Sequence, residues 1–279
     1  VLTLVFVYGW GGGVAGAALA AVASRTAQLC YVAGHVVLLR LHERTWGGFS
    51  LDAFLPQTLL ALTLQAAPLA SAGWVLSLSA QAPLLLAASL GRSALAPMVL
   101  LDALATLLSQ PSAALSAAAL YKVGSLLRGG NGRAAKGTAW LTIFTSTASG
   151  LAAAILMLSG SGALTLVFAH ETHTLKAASS LMPIAALLQV WSALGAACLA
   201  VLEAAGGRDA VLQLRVLASF AVAIPLALVL INLADVGLLG VLWSVVVGQA
   251  LVSSKAFFRI RSLNWAALAQ EARLRREGV

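Results

Sequence analysis

The chain has 279 residues, of which 61% are hydrophobic and only 9% are charged. Soluble domains carry about 25% charged residues, so a water-soluble fold could not hide this much apolar surface and the main solvent must be lipid. The formal charge of +8 does not imply nucleic acid, because the basic residues sit in short gaps between apolar runs and form no stripe with interleaved aromatics.

A membrane-spanning helix needs about 20 predominantly apolar residues. Seven segments meet that length: 12–39, 56–89, 94–121, 136–158, 175–202, 211–231 and 236–258. Residues 1–9 (VLTLVFVYG) read as the tail of an eighth. The chain opens at Val1 with no initiator Met and no basic n-region, which reads as a missing beginning rather than a signal peptide. The runs are too long for barrel strands and do not alternate as such strands do. The expected fold is therefore all-α, a polytopic transmembrane helix bundle of about seven spans plus a partial one.

The segment 56–89 is long for one straight span and contains Pro56, Pro68 and Pro83, so it is expected to tilt and kink or to lie partly outside the core. Pro111, Pro183 and Pro225 fall inside other segments, where a proline frees a backbone carbonyl. Cys30 and Cys198 lie in apolar runs without metal-ligand spacing and read as small core residues.

The basic residues divide unevenly between alternate connections. Fourteen fall on one side: Arg40 and Arg44, the group Lys122 to Lys136, Arg208 and Arg215, and the tail from Lys255 onward. Only Arg92 and Lys176 fall on the other, with Arg25 inside the first segment. By the positive-inside rule the C-terminus faces the cytosol, or the stromal or matrix side of an organelle.

Asp102 is the acid that lies clearly inside a segment, about nine residues or roughly 13 Å from its nearer end, close to mid-bilayer. It reads either as a protonation or cation site coupling ion flux to movement, or as a protonated carboxyl bonded to a neighbouring helix. Arg25, midway along the first segment, is a candidate counter-charge or cavity residue. Gln65, Gln81, Gln110, Gln189 and Gln249 are amides at membrane depth that could line a substrate path or join helices by hydrogen bonds. His170, Glu171 and His173 are close enough to suggest a metal, but a fourth ligand is not evident and a solvated loop is the simpler reading. Trp74, Trp140 and Trp191 read as interfacial belt residues or cavity walls. The glycines of LLRGGNGR lack the Lys-Ser/Thr ending that grips a nucleotide, so ATP-driven transport is not supported. No metal site, cofactor or catalytic nucleophile is expected.

Four stretches carry a family resemblance. They are Gly12–Ser24 (GGVAGAALAAVAS), Pro111–Gly132 (PSAALSAAALYKVGSLLRGGNG), Val201–Arg208 (VLEAAGGR) followed by Ile224-Pro225-Leu226, and Val236–Gln249 (VGLLGVLWSVVVGQ) followed by Arg261-Ser262 and Trp265. In this order and spacing the chain resembles the multidrug and toxic compound extrusion (MATE) family. The resemblance implies the family's helices six to twelve, with residues 1–9 ending the fifth. Residues 1–45 would then end the N-terminal lobe, 46–262 would form the C-terminal six-helix lobe, and 263–279 a basic tail on the cytosolic side. It implies a secondary antiporter in the plasma membrane or an organelle membrane, monomeric when complete. Such a protein exports small organic, often cationic, compounds in exchange for H+ or Na+ by alternating access, with membrane lipid as its other partner. The departures are specific: the family's "RTDWE" tail reads RSLNWA, Glu203 stands where Arg is common, and 56–89 contains no Asp or Glu. These point to the DinF-like branch, whose coupling acid lies in the first helix. The alternatives are a lipid-linked saccharide flippase of the same superfamily and a non-transporting membrane scaffold. A transporter predicts that Asp102 and Arg25 line a water-accessible cavity; a scaffold predicts that they pack against neighbours.

Overall fold

The computed structural model describes residues 5–40, 54–159, 172–232 and 236–277. Every regular element among the described residues is helical. A π-helical turn (Val5–Gly9) precedes α1 (Gly13–Leu38), α2 (Pro56–Ser89), α3 (Arg92–Arg128), α4 (Gly132–Ser159) and α5 (Thr172–Ala204). Next, α6 (Arg208–Val216) runs through a π-helical stretch (Leu217–Ala223) into α7 (Ile224–Asn232), and α8 (Gly237–Arg261) and α9 (Trp265–Glu277) complete the chain.

Helices therefore cover all seven expected segments, and several extend beyond them into basic residues, as α3 does to Arg128. Five stretches among the described residues are both long and apolar enough to cross a membrane: Ser93–Arg128, Gly132–Ser159, Thr174–Ala204, Arg208–Asn232 and Gly237–Arg261. The 26-residue α1 is long enough but carries Arg25, Gln28 and His35, and α2 is one continuous helix of 34 residues. Residues 263–279, expected as a basic tail, mostly form the helix α9. Asn264 caps it by accepting a hydrogen bond from the Ala267 amide at 3.3 Å, and Asn131 caps α4 in the same way from Ala134 at 3.2 Å. Both caps lie in the GGNGR and RSLNWA elements that carry the family resemblance.

The chain forms two compact units, Val1–Pro68 and Leu69–Val279. In the first, the π-helical turn closes onto the start of α1: the Gly12 amide donates to the Phe6 carbonyl at 3.2 Å. A Cβ on Gly16 would lie 2.5 Å from that oxygen, so the approach requires glycine. Cys30 is exposed on α1, unlike the core position expected for it, whereas Cys198 on α5 is fully buried.

The second unit is organised around α5, which packs against α3, α4, α6 and α8. Small residues allow this. Ala178, Ala185, Ala186, Ala193, Ala197 and Cys198 are all nearly or wholly buried on α5, and small side chains let helix backbones approach closely in lipid. At Gly150 on α4 a Cβ would overlap the Cβ of Ala193. Two serines then fix α5 from opposite partners: Ser146 Oγ on α4 donates to the Ala193 carbonyl at 3.1 Å, and Ser253 Oγ on α8 donates to the Trp191 carbonyl at 2.9 Å. Trp140 on α4 stacks edge-on against Phe257 on α8, centroids 5.4 Å apart, and so packs between these helices. The helix α9 closes the basic end of α3 and α4, burying Trp265 and Ala269; Gly132 meets the Trp265 carbonyl so closely that no Cβ would fit.

The π-helical stretch ends where Pro225 begins the second residue of α7. Proline has no amide hydrogen and its ring crowds the carbonyl four residues earlier. Widening the preceding turn relieves that crowding, which accounts for the π geometry here. Pro97, Pro111 and Pro183 lie within continuous helices α3 and α5.

Candidate functional site: a serine-lined cavity with one arginine

A cavity of about 270 Å³ opens within the second unit between α2, α5, the α6–α7 segment and α8. Its walls follow from helical spacing. On the α6–α7 segment Arg215, Ala218, Ser219 and Ala223 recur at three- and four-residue steps and so share one face. On α8 the same spacing brings Val241, Ser244, Val245, Gly248, Gln249 and Val252 to the cavity. Ser79, Pro83 and Leu86 of α2 and Ser192, Ala196 and Leu199 of α5 complete it. The residues nearest the helix axes are small: Gly248 has no room for a Cβ without meeting the Ala223 Cβ at 3.1 Å and the Ala218 carbonyl at 3.2 Å.

Arg215 is the one charged residue among the described lining residues, none of which is acidic. It lies seven residues into the span Arg208–Asn232, about 10 Å along the helix axis. An intramembrane arginine is costly unless it faces water, a cavity or a partner, and Arg215 remains accessible beside the cavity. Glu203 at the end of α5 is an acid whose field reaches it. That carboxylate also faces Arg208, whose Nε lies 3.7 Å from Glu203 Oε1. Gln249 packs tightly on α5: a Cβ at Gly195 would lie 2.6 Å from Gln249 Nε2 and 2.6 Å from Ser253 Oγ. Ser244 Oγ donates to its own helix at the Val241 carbonyl, 2.7 Å away. Ser192, Ser219 and Gln249 line the cavity and have no side-chain hydrogen bond to other described residues.

Gln249 apart, the candidate site residues singled out from sequence are not among the described residues that line this cavity. Asp102 is exposed on α3, and Arg25 is exposed on α1 in the first unit, where its Nη1 donates to Gln28 Oε1 at 3.2 Å. Asp102 is not among the residues that line this cavity. Gln81 is exposed on α2, and Gln110 on α3 donates from Nε2 to the Thr106 carbonyl at 3.0 Å. Gln189 is 2% exposed on α5 and its Nε2 has no hydrogen-bond partner. Such an orphaned donor costs about 1–3 kcal/mol. The Gln65 and His173 side chains, together with His170 and Glu171, lie outside what the structure describes. Of the amides named from sequence, Gln249 lines the cavity. Arg215, by charge one of the basic connections, stands instead in the cavity wall, one helical turn from Ser219.

No family model matches the chain. The chain is 24% identical over 264 residues to multidrug and toxin extrusion protein 1 of Rattus norvegicus, covering 94% of this chain and 46% of that protein. It is 23% identical to the Homo sapiens protein of the same name, again over 264 residues, with 94% and 46% covered. It thus spans about half the length of the curated relatives it matches. Among solved structures it is similar to the eukaryotic MATE transporter AtDTX14, with a TM-score of 0.80 at 20% identity, covering 98% of this chain and 61% of that one. It is also similar to an outward-facing multidrug resistance MATE transporter of the MOP superfamily, with a TM-score of 0.74 at 18% identity, covering 96% and 60%. The helices, their order and these likenesses together identify the architecture as the fold of the multidrug and toxic compound extrusion transporters.

Proposed function

We propose that the chain forms part of a secondary transporter that exports small organic compounds in exchange for protons or sodium ions by alternating access. The observation that carries this is the cavity itself. Polar groups from four helices converge at membrane depth in a fold whose solved examples are transporters. A packing scaffold has no use for unsatisfied serine and glutamine donors facing open space, whereas a solute path needs a few polar groups on an apolar wall. The solute passes unchanged, so no enzyme chemistry is involved.

The remaining parts of the reading follow the sequence. Residues 1–45 belong to the end of one lobe, 46–262 to the other, and 263–279 to a segment on the cytosolic or stromal side. The protein resides in the plasma membrane or an organelle membrane and works as a monomer. Asp102 is the candidate coupling group and Arg25, Gln65, Gln81, Gln110 and Gln189 are candidate path residues.

The test is gradient-driven efflux of a fluorescent organic dye from proteoliposomes, with a pH gradient and a sodium gradient imposed separately. Efflux that follows one gradient supports the reading and names the ion. Loss of coupling in Asp102→Asn assigns the ion site to α3, and coupling intact in that variant removes Asp102 from the mechanism. Efflux that ignores both gradients, or none at all, refutes antiport by this chain.

A further inference from the structure

We propose that the cavity between α2, α5, α6–α7 and α8 binds the head of a small organic monocarboxylate, held by the Arg215 guanidinium. This rests on the reading of the cavity as part of a solute path, and departs from the cationic compounds that the resemblance implies.

Charge decides the class of ligand. Among the described lining residues the one charge is Arg215, and no carboxylate stands there to attract a cation. Glu203, the acid whose field reaches Arg215, is shared with Arg208 at 3.7 Å, so these three groups keep a net positive charge. A cationic solute would meet that charge in a setting where water screens poorly.

Donor count agrees. A guanidinium has five N–H donors and no acceptor, and the Gln249 amide adds two more. The Ser192 and Ser219 hydroxyls also have no hydrogen-bond partner among the described residues. Such an excess of donors is matched by a ligand rich in acceptors, and a carboxylate accepts both oxygens' worth of bonds from arginine in a planar fork.

The number of charges fixes the head further. One guanidinium neutralises a monoanion; a phosphate dianion would leave a charge uncompensated at membrane depth. The other walls, Leu86, Leu199, Ile224, Val241 and Val245, suit a compact apolar body. The volume of about 270 Å³ admits one such molecule.

The experiment uses the full chain in lipid nanodiscs and three probes of one shape: naphthoate, its neutral amide, and naphthylmethylammonium. Isothermal titration is expected to show naphthoate binding about tenfold more tightly than the amide, as a charge-assisted pair should, with the ammonium weakest. In Arg215→Gln the preference for the acid over the amide disappears, and in Arg215→Lys part of the preference returns. In Gln249→Leu, which leaves the guanidinium in place, naphthoate weakens severalfold, a result that does not depend on Arg215→Gln folding. Equal binding of acid and amide by the native chain overturns the proposal, as does a preference that survives Arg215→Gln or an ammonium that binds tightest. Uptake of the same probes into proteoliposomes separates the two readings. Acid preference without uptake supports the site and sinks the transport reading; uptake without acid preference sinks the site and leaves transport standing.

Discussion

Two glycines on one helix should respond to alanine with opposite signs. Gly137 and Gly150 both lie inside α4, and replacing glycine by alanine in a helix gains about 0.5–1 kcal/mol from backbone entropy. At Gly137 a Cβ would meet nothing within 4 Å, so Gly137→Ala is expected to stabilise by that amount. At Gly150 the new Cβ would overlap Ala193 Cβ and lie 3.2 Å from the Gln189 carbonyl oxygen. Both obstacles are fixed to the α5 backbone, so no rotamer change relieves them and the two helices must separate. Overpacking of this kind costs about 1–3 kcal/mol. Separation also stretches the Ser146–Ala193 hydrogen bond, worth about 0.6 kcal/mol in membranes. After the propensity gain, Gly150→Ala should lose about 0.5–3 kcal/mol. Equilibrium unfolding in mixed micelles, followed by tryptophan fluorescence, measures both variants. Adding Ala193→Gly to Gly150→Ala removes the opposing methyl and should restore stability non-additively, with a coupling above about 1 kcal/mol. If Gly150→Ala proves as stable as Gly137→Ala, or if Ala193→Gly gives no coupling, the close α4–α5 contact is refuted.

Other outcomes follow from the same packing. Ser253→Ala removes the bond to the Trp191 carbonyl and should cost about 0.6 kcal/mol in the same unfolding assay, whereas Ser262→Ala, on an exposed local bond, should cost nothing measurable. Gly195→Ala drives a Cβ against Gln249 Nε2 and Ser253 Oγ, so naphthoate binding should weaken severalfold with Arg215 untouched; unchanged affinity would remove Gln249 from the site. Cys30 should react with maleimide in folded detergent-solubilised protein while Cys198 reacts only after unfolding, and prompt labelling of Cys198 would contradict its burial. In a Cys-free background Gln270→Cys on α9 should label from the cytosolic or stromal side; labelling from the opposite side would invert the topology drawn from the basic residues.

The helices were legible because apolar length is a local property, and each expected segment lies within a helix of the described structure or overlaps one closely. The ends were less so. Lys122 and Arg128 continue α3 beyond its apolar run, because helical hydrogen bonding does not stop where hydropathy does. The last segment read as a tail on charge alone, although Asn264 and the apolar positions Trp265 and Ala269 mark a capped helix with a buried side. The site was the least legible part. Membrane-depth amides look alike in a sequence: Gln189 is sealed within the unit, while Gln249 opens onto the cavity. Which face of α5 or α8 meets which neighbour depends on packing between residues far apart in the chain. Arg215 was hidden by its neighbours in sequence, since a basic residue near a segment boundary ordinarily marks a connection.

The two serine bonds to α5 divide the lobe mechanically. Their acceptors, Trp191 and Ala193, are two residues apart, and their donors come from different helices. Any twist of α5 about its own axis strains both bonds and drives Ala193 into the backbone at Gly150. Helices α4, α5 and α8 thus form a stator. The segment from α6 through α7, on the cavity's rim, is tied to α5 at its start by the exposed Arg208–Glu203 pair, and the π stretch beyond interrupts its regular helical ladder. Deformation imposed on this lobe by a solute or by the bilayer is therefore absorbed along that rim, and Arg215 sits on it.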